Sequence, residues 1–151
     1  MSFKELDNLV RIGILKSQPA DQKEFDGLLE AGRTYLTDLR GANLSPRTQF
    51  NLAYDAAHAF SLAALIWHGY RPNNTRSVVF QALQHTVGLS PAVWRVLANC
   101  HDLRNLAEYH GSFAVDRELL ANLLTTADML QNAIENLGPA PKIEIGGKSS
   151  S

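Results

Sequence analysis

One stretch of the sequence, beginning at Ser45-Pro46 and running to about His68, constrains the fold more than any other. A serine followed by proline is typical of a helix cap and first helical residue, and apolar residues then recur on two helical faces. One stripe comprises Phe50, Ala53, Ala57, Phe60, Ala64 and Trp67, and the other comprises Leu52, Ala56, Ala59, Ala63 and Ile66. A helix that is apolar nearly all round must be covered on most sides. We therefore expect this helix at the centre of a helical bundle, where its alanines let neighbouring helices approach closely.

The rest of the chain shows the same helical periodicity, interrupted by capping residues and glycines. A short first helix is indicated by Phe3, Leu6, Val10 and Ile14. Later helices are predicted to start at Asp21, Thr75, Ser90 and Asp116 and to stop at Gly41, Gly88, Gly111 and Gly138. No alternating strand pattern of useful length occurs, and the segment 71–74 is predicted to be a loop. We predict an all-α fold, an up-and-down helical bundle of four to five main helices plus a short helix.

The length of 151 residues fits one domain followed by a tail. Apolar residues make up 45% of the chain, which is enough to build a packed core. We assign residues 1–137 to a single helical bundle. The segment 138–151 is small, polar and proline-containing, and we predict that it is a disordered tail.

The low net charge of the chain excludes a protein that binds nucleic acid mainly through an overall positive charge. Charged residues make up 19% of the sequence and the formal net charge is −1. The distribution is uneven, because the segment 71–104 contains four arginines and a single carboxylate, Asp102. We therefore expect any anion-binding site to lie in the second half of the chain.

Cysteine content and hydropathy indicate the compartment. The single Cys100 cannot form an internal disulfide and is interpreted as a small buried hydrophobe. Lys4, Glu5 and Asp7 interrupt the opening segment, so no secretory signal is predicted there. The longest apolar run, Ala59–Trp67, is too short to cross a bilayer. We expect a soluble, cytoplasmic protein with no membrane segment.

The segment from His101 to Gly111 packs several hydrogen-bonding side chains into one short stretch of helix. At about 100° per residue, one side of this helix presents His101, Arg104, Asn105 and Glu108. Arg104 lies at the edge of the apolar stripe and therefore needs an anionic or carbonyl partner. The simplest partner is Glu108, one turn later, in which case the pair is a surface contact worth a few tenths of a kcal/mol.

His110 gives Arg104 a second interpretation. A neutral imidazole can take a proton from a hydroxyl near neutral pH, and a guanidinium can hold a phosphate and stabilise charge in the transition state. Together they suffice for metal-free cleavage of RNA, because the ribose 2′-hydroxyl is the nucleophile. Gly111 ends the helix directly after His110, which gives that ring freedom to turn toward Arg104.

Arg104-Asn105, followed by four residues and His110, resembles the signature of the HEPN superfamily, in which a polar residue follows the arginine and a histidine comes shortly after. The phrase LRNLAEYHG and the earlier run AYDAAHAFSLAALIWHGYRPNNTRSVVFQAL are similar to this family as well. The resemblance covers roughly residues 45–137.

The resemblance implies a helical bundle that forms a homodimer, with two arginine–histidine sets facing each other across a cleft. Many members are metal-independent endoribonucleases in toxin–antitoxin or defence systems, and others bind nucleotides or serve as interaction modules. Carried over residue by residue, Arg104 holds the scissile phosphate, Asn105 orients the site, and His110 is the general base or acid. In the branch whose toxin is modified by a partner enzyme, a tyrosine sits two residues after the histidine. Ser112 occupies that place here and Tyr109 precedes the histidine, so that regulation is not carried over.

Other polar residues have candidate roles near this site. Asp55 and His58 lie three apart on the central helix; a mutual core contact is the favoured interpretation, and support of the Arg104 region is the alternative. Arg71 and Arg76 either form the wall of an RNA groove or are solvated. The remaining candidates for support or substrate binding are His101, Glu108 and Tyr109.

No metal or cofactor is predicted. The five histidines lack the spacing of a helical metal pair, and His101 with Glu108, seven residues apart, is too sparse a ligand set. Trp67, Tyr70 and Trp94 are interpreted as core or dimer-interface anchors.

Three functions remain open from the sequence. The leading hypothesis is a homodimeric endoribonuclease with RNA as substrate and an antitoxin as partner. The first alternative is a non-catalytic module that binds nucleotide, RNA or protein. The second is a purely structural bundle in which Arg104 pairs with Glu108 and His110 is a cation at the helix end.

Overall fold

The computed structural model describes residues 4–41, 43–73, 78–110 and 114–141, and of residues 108–110 it describes the helical backbone alone. Within these ranges the chain forms seven helices and two short strands. In order they are α1 (Lys4–Arg11), β1 (Leu15–Ser17), α2 (Gln22–Leu39), α3 (Pro46–His68), β2 (Tyr70–Pro72), α4 (Val78–Gln81), α5 (Leu83–Thr86), α6 (Pro91–His110) and α7 (Arg117–Glu135). The fold is an all-α bundle, as predicted. None of the helices in these ranges is long and apolar enough to cross a membrane.

Helix α3 is the centre of the bundle, as its apolar faces predicted. Helices α2, α6 and α7 all pack on it, and thirteen of its 23 residues are buried. The helix begins where the Ser45 hydroxyl accepts the backbone N–H of Thr48 at 3.1 Å, with Pro46 as first helical residue. It ends at Gly69, whose φ of 91° is a left-handed conformation that favours glycine.

Helix α2 packs on α3 across a glycine. A Cβ built on Gly32 would lie 2.3 Å from Cε1 of Phe60, a distance that real side chains do not reach. Phe60 is fully buried, so its ring has little room to retreat. The two helices therefore approach each other more closely here than any larger residue at position 32 would permit.

Helix α7 closes the bundle, and the chain beyond it stays in contact with the core. The Asp116 carboxylate caps α7 by accepting the backbone N–H of Glu118 at 3.2 Å. After the helix, the indole N–H of Trp67 lies 3.1 Å from the carbonyl oxygens of both Gly138 and Pro139. The start of the predicted tail is thus bound to α3, while residues 142–151 lie outside the described ranges.

A two-stranded antiparallel ribbon replaces part of the loop predicted at 71–74. Strand β1 pairs with β2 in a register that places Leu15 opposite Pro72 and Ser17 opposite Tyr70. Tyr70 is buried and its hydroxyl bonds to Asp7, so the ribbon ties the N-terminal segment to the end of α3. The loop prediction was wrong because strands of three residues are too short to show an alternating pattern.

Two helix boundaries also differ from the sequence-based expectation. The first helix ends at Arg11 instead of continuing to Ile14, and Gly13 follows with a φ of 86°. The short helix expected before Gly88 consists of two single turns, α4 and α5, interrupted at Ala82. Its expected cap, Thr75, lies outside the described residues.

Cys100 is buried, as predicted, on the side of α6 that faces the core. Burial raises the pKa of its thiol to about 12. The thiol therefore stays protonated at neutral pH and does not offer a thiolate nucleophile.

The buried imidazole of His68 makes the free energy of unfolding depend on pH. Burial lowers the pKa of His68 from its ordinary 6.5, and the hydrogen bond to the carbonyl oxygen of Ala64, at 2.8 Å, offsets only part of that effect. The unfolded chain therefore binds a proton at higher pH than the folded protein does. The free energy of unfolding should fall as the pH drops through 6.5.

We expect His68→Gln, which has no titrating ring, to lose less of its unfolding free energy than the wild type between pH values of about 7.5 and about 5. Urea denaturation at several pH values measures both slopes. Equal slopes in the two proteins would show that His68 does not couple protonation to folding.

Candidate functional site

Helix α6 presents Arg104 to Asp55 of α3. The Arg104 Nη1 lies 2.8 Å from the Asp55 Oδ1, and the two side chains are 31% and 34% exposed, so the pair sits at the surface of the bundle. Among the described residues, Asp55 is the one hydrogen-bond partner of this guanidinium. A guanidinium has five N–H donors. The contact with Asp55 uses one of them.

The ring of Tyr54 packs against the same guanidinium. The Arg104 Cζ lies 4.8 Å from the centroid of the Tyr54 ring, within the range of a cation–π contact. Tyr54 is only 3% exposed, so it is a fixed platform. Because Tyr54 and Asp55 are consecutive on α3, one short segment both orients the guanidinium and neutralises part of its charge.

His101 joins this group through both of its ring nitrogens. Its Nδ1 lies 2.8 Å from the Tyr54 hydroxyl oxygen. Its Nε2 lies 3.1 Å from the Asn105 amide nitrogen, one helical turn further along α6. We call Tyr54, Asp55, His101, Arg104 and Asn105 the Arg104 cluster.

An aromatic floor lies beneath the Arg104 cluster. The ring of Phe80, from α4, lies edge-on to Tyr54 with centroids 5.7 Å apart and edge-on to His58 at 5.8 Å. Phe80 also contacts the ring of His101, at 6.4 Å. Phe80 is fully buried. The polar cluster therefore rests on a rigid apolar support, which limits the motion of the His101 ring.

The structure brings together most of the α6 and α3 residues that the sequence singled out. His101, Arg104 and Asn105 lie on one side of α6, as predicted. The favoured contact between Asp55 and His58 is replaced by the ion pair with Arg104, because a guanidinium offers the carboxylate a full opposite charge. The ring of His58 instead packs against Tyr54 and Phe80.

Two members of the site were missed from the sequence. Tyr54 and Phe80 were not considered as site residues, since an aromatic residue in an apolar helix is normally a core residue. The available signal for Tyr54 was its position directly before Asp55, on a helix where carboxylates are rare.

Several predicted site residues fall outside the described part of the structure. The side chains of Glu108, Tyr109 and His110 are among them, as is the whole of Arg76. The described partner of Arg104 is Asp55, and the pairing of Arg104 with Glu108 considered from the sequence stays a prediction because that side chain lies outside the described residues.

The structure pairs Arg71 with a residue of α2. Its Nη2 lies 2.5 Å from a carboxylate oxygen of Glu24, and its side chain is only 21% exposed. Arg71 is therefore not simply solvated, because its charge is matched within the fold. Its role as the wall of an RNA groove stays a prediction. Trp94, by contrast, is half-buried on α6 with the guanidinium of Arg95 at 5.9 Å from its ring centroid.

Arg104 and Asp55 are partly exposed at the surface of the bundle. A cavity of about 280 Å³ lies between α2, α3 and α7, lined by Leu36, Leu39, Arg40, Gln49, Leu124 and Asp128, and none of these lining residues belongs to the Arg104 cluster. Within the described ranges, no three His, Cys, Asp or Glu side chains converge in a way that could hold a metal ion.

The Asp55–Arg104 pair should be measurable as a coupling in stability. Both groups are about a third exposed, so solvent screening reduces their interaction to about 1 kcal/mol or less. We expect Asp55→Asn to lower the free energy of unfolding by about that amount in the wild type and by clearly less in an Arg104→Gln background. Chemical denaturation of the four proteins gives the coupling energy.

Glu108→Gln, combined with Arg104→Gln in the same way, is the matched control for that cycle. Its coupling energy should be smaller than that of Asp55, because an exposed pair four residues apart on a helix contributes only about 0.2–0.5 kcal/mol. A larger coupling for Glu108 than for Asp55 would show that Arg104 pairs along its own helix in solution.

Comparison of this chain with protein-family models, with curated proteins and with solved structures finds no match in any of the three.

Proposed function

We propose that this protein is a metal-independent endoribonuclease of the HEPN type, which cleaves an RNA phosphodiester with the ribose 2′-hydroxyl as nucleophile. One observation carries the proposal. On one side of α6, the partly exposed guanidinium of Arg104 and the imidazole of His101 both contact the side chain of Tyr54 on α3. A fixed cation and a proton acceptor next to each other are the two groups that this reaction needs from the protein.

The chemistry explains why so few groups suffice. RNA contains its own nucleophile two bonds from the ring carbon that bears the scissile phosphate, so the protein must only remove a proton and stabilise charge. A histidine performs the first task at neutral pH. A preorganised guanidinium performs the second by hydrogen bonding to the phosphate oxygens as negative charge accumulates on them.

In this proposal the phosphate binds at the edge of Arg104 that Asp55 does not contact. Asp55 takes a hydrogen bond from Nη1. The opposite edge, formed by Nε and Nη2, is a fork that binds two oxygens of one phosphate. Asp55 thus holds the guanidinium in one orientation on the Tyr54 ring while the substrate binds on the other side.

The resemblance to the HEPN superfamily supplies the remaining roles. The order of elements agrees with it: the central helix α3, the short turns α4 and α5, the arginine-bearing helix α6, and a closing helix α7. In the family pattern the residue at the position of Asn105 orients the site, and the residue at the position of His110 is a general base or acid. Two copies of the chain face each other across the RNA, and an antitoxin restrains the enzyme within a toxin–antitoxin or defence system.

Incubation of the purified protein with RNA in the presence of EDTA tests the activity. Fluorescent single-stranded and hairpin RNAs should be cut into fragments that end in 2′,3′-cyclic phosphates, with 5′-hydroxyls on the downstream products. Mass spectrometry identifies both ends. If both kinds of RNA stay intact through a long incubation, the enzyme proposal fails.

A binding module is the second candidate, and the Asp55–Arg104 ion pair favours it. A guanidinium that is already partly neutralised is a weaker electrophilic catalyst but still an anchor for a phosphate. Such a module should show a higher melting temperature in the presence of nucleotides or RNA without any turnover. Absence of both cleavage and stabilisation would leave a structural bundle.

A further inference from the structure

His101 and Arg104 are neighbours on α6, and both are half-buried. They are three residues apart, so on the helix their side chains are separated by about 60° and by about 4.5 Å along the axis. In the structure both side chains contact Tyr54, His101 at the hydroxyl and Arg104 over the ring. We propose that His101 is the general base that removes the proton from the ribose 2′-hydroxyl, an inference that rests on the ribonuclease function proposed above.

The position of His110 on the same helix supports this choice. Helix α6 is continuous through residue 110. His110 follows Arg104 by six residues, which places it about 120° around the helix and about 9 Å further along it. The imidazole that contacts the same tyrosine as Arg104 is the one at position 101.

Tyr54 gives His101 the form that a base requires. In this proposal Nε2 carries the lone pair and faces the Asn105 amide nitrogen, which is a donor. The single proton of the neutral ring then lies on Nδ1 and is donated to the Tyr54 hydroxyl oxygen. A base whose second nitrogen is anchored by a fixed partner is the arrangement that catalytic histidines use in general.

Asn105 covers the basic nitrogen in the absence of substrate. Its side chain is exposed, on the solvent side of the cluster, and its bond to Nε2 is long at 3.1 Å. A ribose hydroxyl that arrives from solvent can take its place with little rearrangement of the fold. The displaced amide is then free to bond to the substrate.

The proposed step is balanced in protons and electrons. The 2′-hydroxyl gives its proton to Nε2 of His101, and the oxygen electron pair forms a bond to phosphorus. The bond between phosphorus and the 5′-oxygen breaks, and the leaving oxygen takes a proton from water. The products are a 2′,3′-cyclic phosphate and a 5′-hydroxyl, and the hydroxide formed from water accepts the proton from His101. Arg104 stabilises the phosphorane oxygens throughout.

Substitution of His101 followed by chemical rescue tests the assignment. His101→Gln should lower the rate of RNA cleavage by about a hundredfold or more, which is the usual contribution of a general base. His85→Gln, which removes an imidazole from α5 and touches no member of the cluster, is the matched control and should cleave at the wild-type rate.

Rescue separates a catalytic role from a structural one. Added imidazole should restore part of the activity to His101→Gly, because a free base can occupy the vacated space, and it should not restore activity to Arg104→Ala. Tyr54→Phe keeps the ring beneath Arg104 and removes the oxygen that anchors Nδ1. It should show a smaller loss than His101→Gln with unchanged substrate binding.

The results distinguish this inference from the function on which it rests. A wild-type protein that cleaves no RNA overturns both. A wild-type protein that cleaves RNA, together with a His101→Gln variant within about threefold of its rate, overturns the role of His101 and leaves the ribonuclease intact. A large loss in His101→Gln with no rescue of His101→Gly by imidazole also overturns it, because His101 is then only structural.

Discussion

Replacement of Arg104 by alanine should reduce the rate of RNA cleavage by about 10²–10³-fold while the protein stays folded, because removal of one preorganised donor to a developing oxyanion costs about that much. The Arg104 guanidinium is held on Tyr54 by Asp55, so it needs no reorganisation when charge develops. Single-turnover assays with excess enzyme measure the chemical step without the contribution of product release.

Arg95→Ala is the matched control for that variant. Arg95 lies on the same helix, is exposed, and contacts the ring of Trp94. Its loss changes the net charge equally and should leave cleavage nearly unchanged. Arg104→Lys keeps the charge but removes the planar fork, and we expect it to lose most of the activity as well. Equal effects of Arg95→Ala and Arg104→Ala would reduce the role of Arg104 to general attraction of RNA.

The largest effect on stability is expected for Gly32→Ala. The new Cβ would lie 2.3–2.7 Å from three atoms of the Phe60 ring, so α2 and α3 would have to move apart or the ring would have to leave its rotamer. Overpacking of this kind costs about 1–3 kcal/mol or more, against a gain of about 1 kcal/mol in helix propensity. We expect a net loss of about 1–2 kcal/mol, since the clash with the fully buried ring lies at the upper end of that range, and urea denaturation measures it.

Gly27→Ala provides the control on the same helix. A Cβ at Gly27 meets nothing within 4 Å, so the substitution should stabilise the protein by about 0.5–1 kcal/mol. Phe60→Leu should relieve part of the strain when it is combined with Gly32→Ala. Two glycine variants with the same sign and size would show that the close approach of α2 and α3 is not what Gly32 provides.

Features encoded locally were predictable from the sequence. The two apolar stripes of α3 predicted that this helix is buried on several sides, because the periodicity of apolar residues depends only on the sequence of the helix itself. Ser45 and Asp116 cap α3 and α7 in the structure, since a capping side chain bonds to backbone only two or three residues away. The same local reasoning placed His101, Arg104 and Asn105 on one side of α6.

Features that depend on distant residues were not predictable. The partner of Arg104 is Asp55, 49 positions earlier, and helical spacing indicates a face without indicating which residue on another helix lies opposite. Glu108 was the nearest candidate in sequence for that reason. Tyr54 was missed because an aromatic residue in an apolar helix is normally a core residue, and only the structure shows that its hydroxyl contacts His101. The ribbon of β1 and β2 likewise depends on pairing across more than fifty residues.

An RNA oligonucleotide with one deoxyribose is the most direct test of the proposed chemistry. After the cleavage sites of a fluorescent RNA have been mapped in EDTA, a single 2′-deoxynucleotide is placed immediately 5′ of one scissile phosphate. We expect cleavage to stop at that bond and to continue at the other sites, because the attacking oxygen is missing at one place only. Cleavage that persists at the modified bond would show that the nucleophile is not the 2′-hydroxyl, and the reaction proposed for the Arg104 cluster would be wrong.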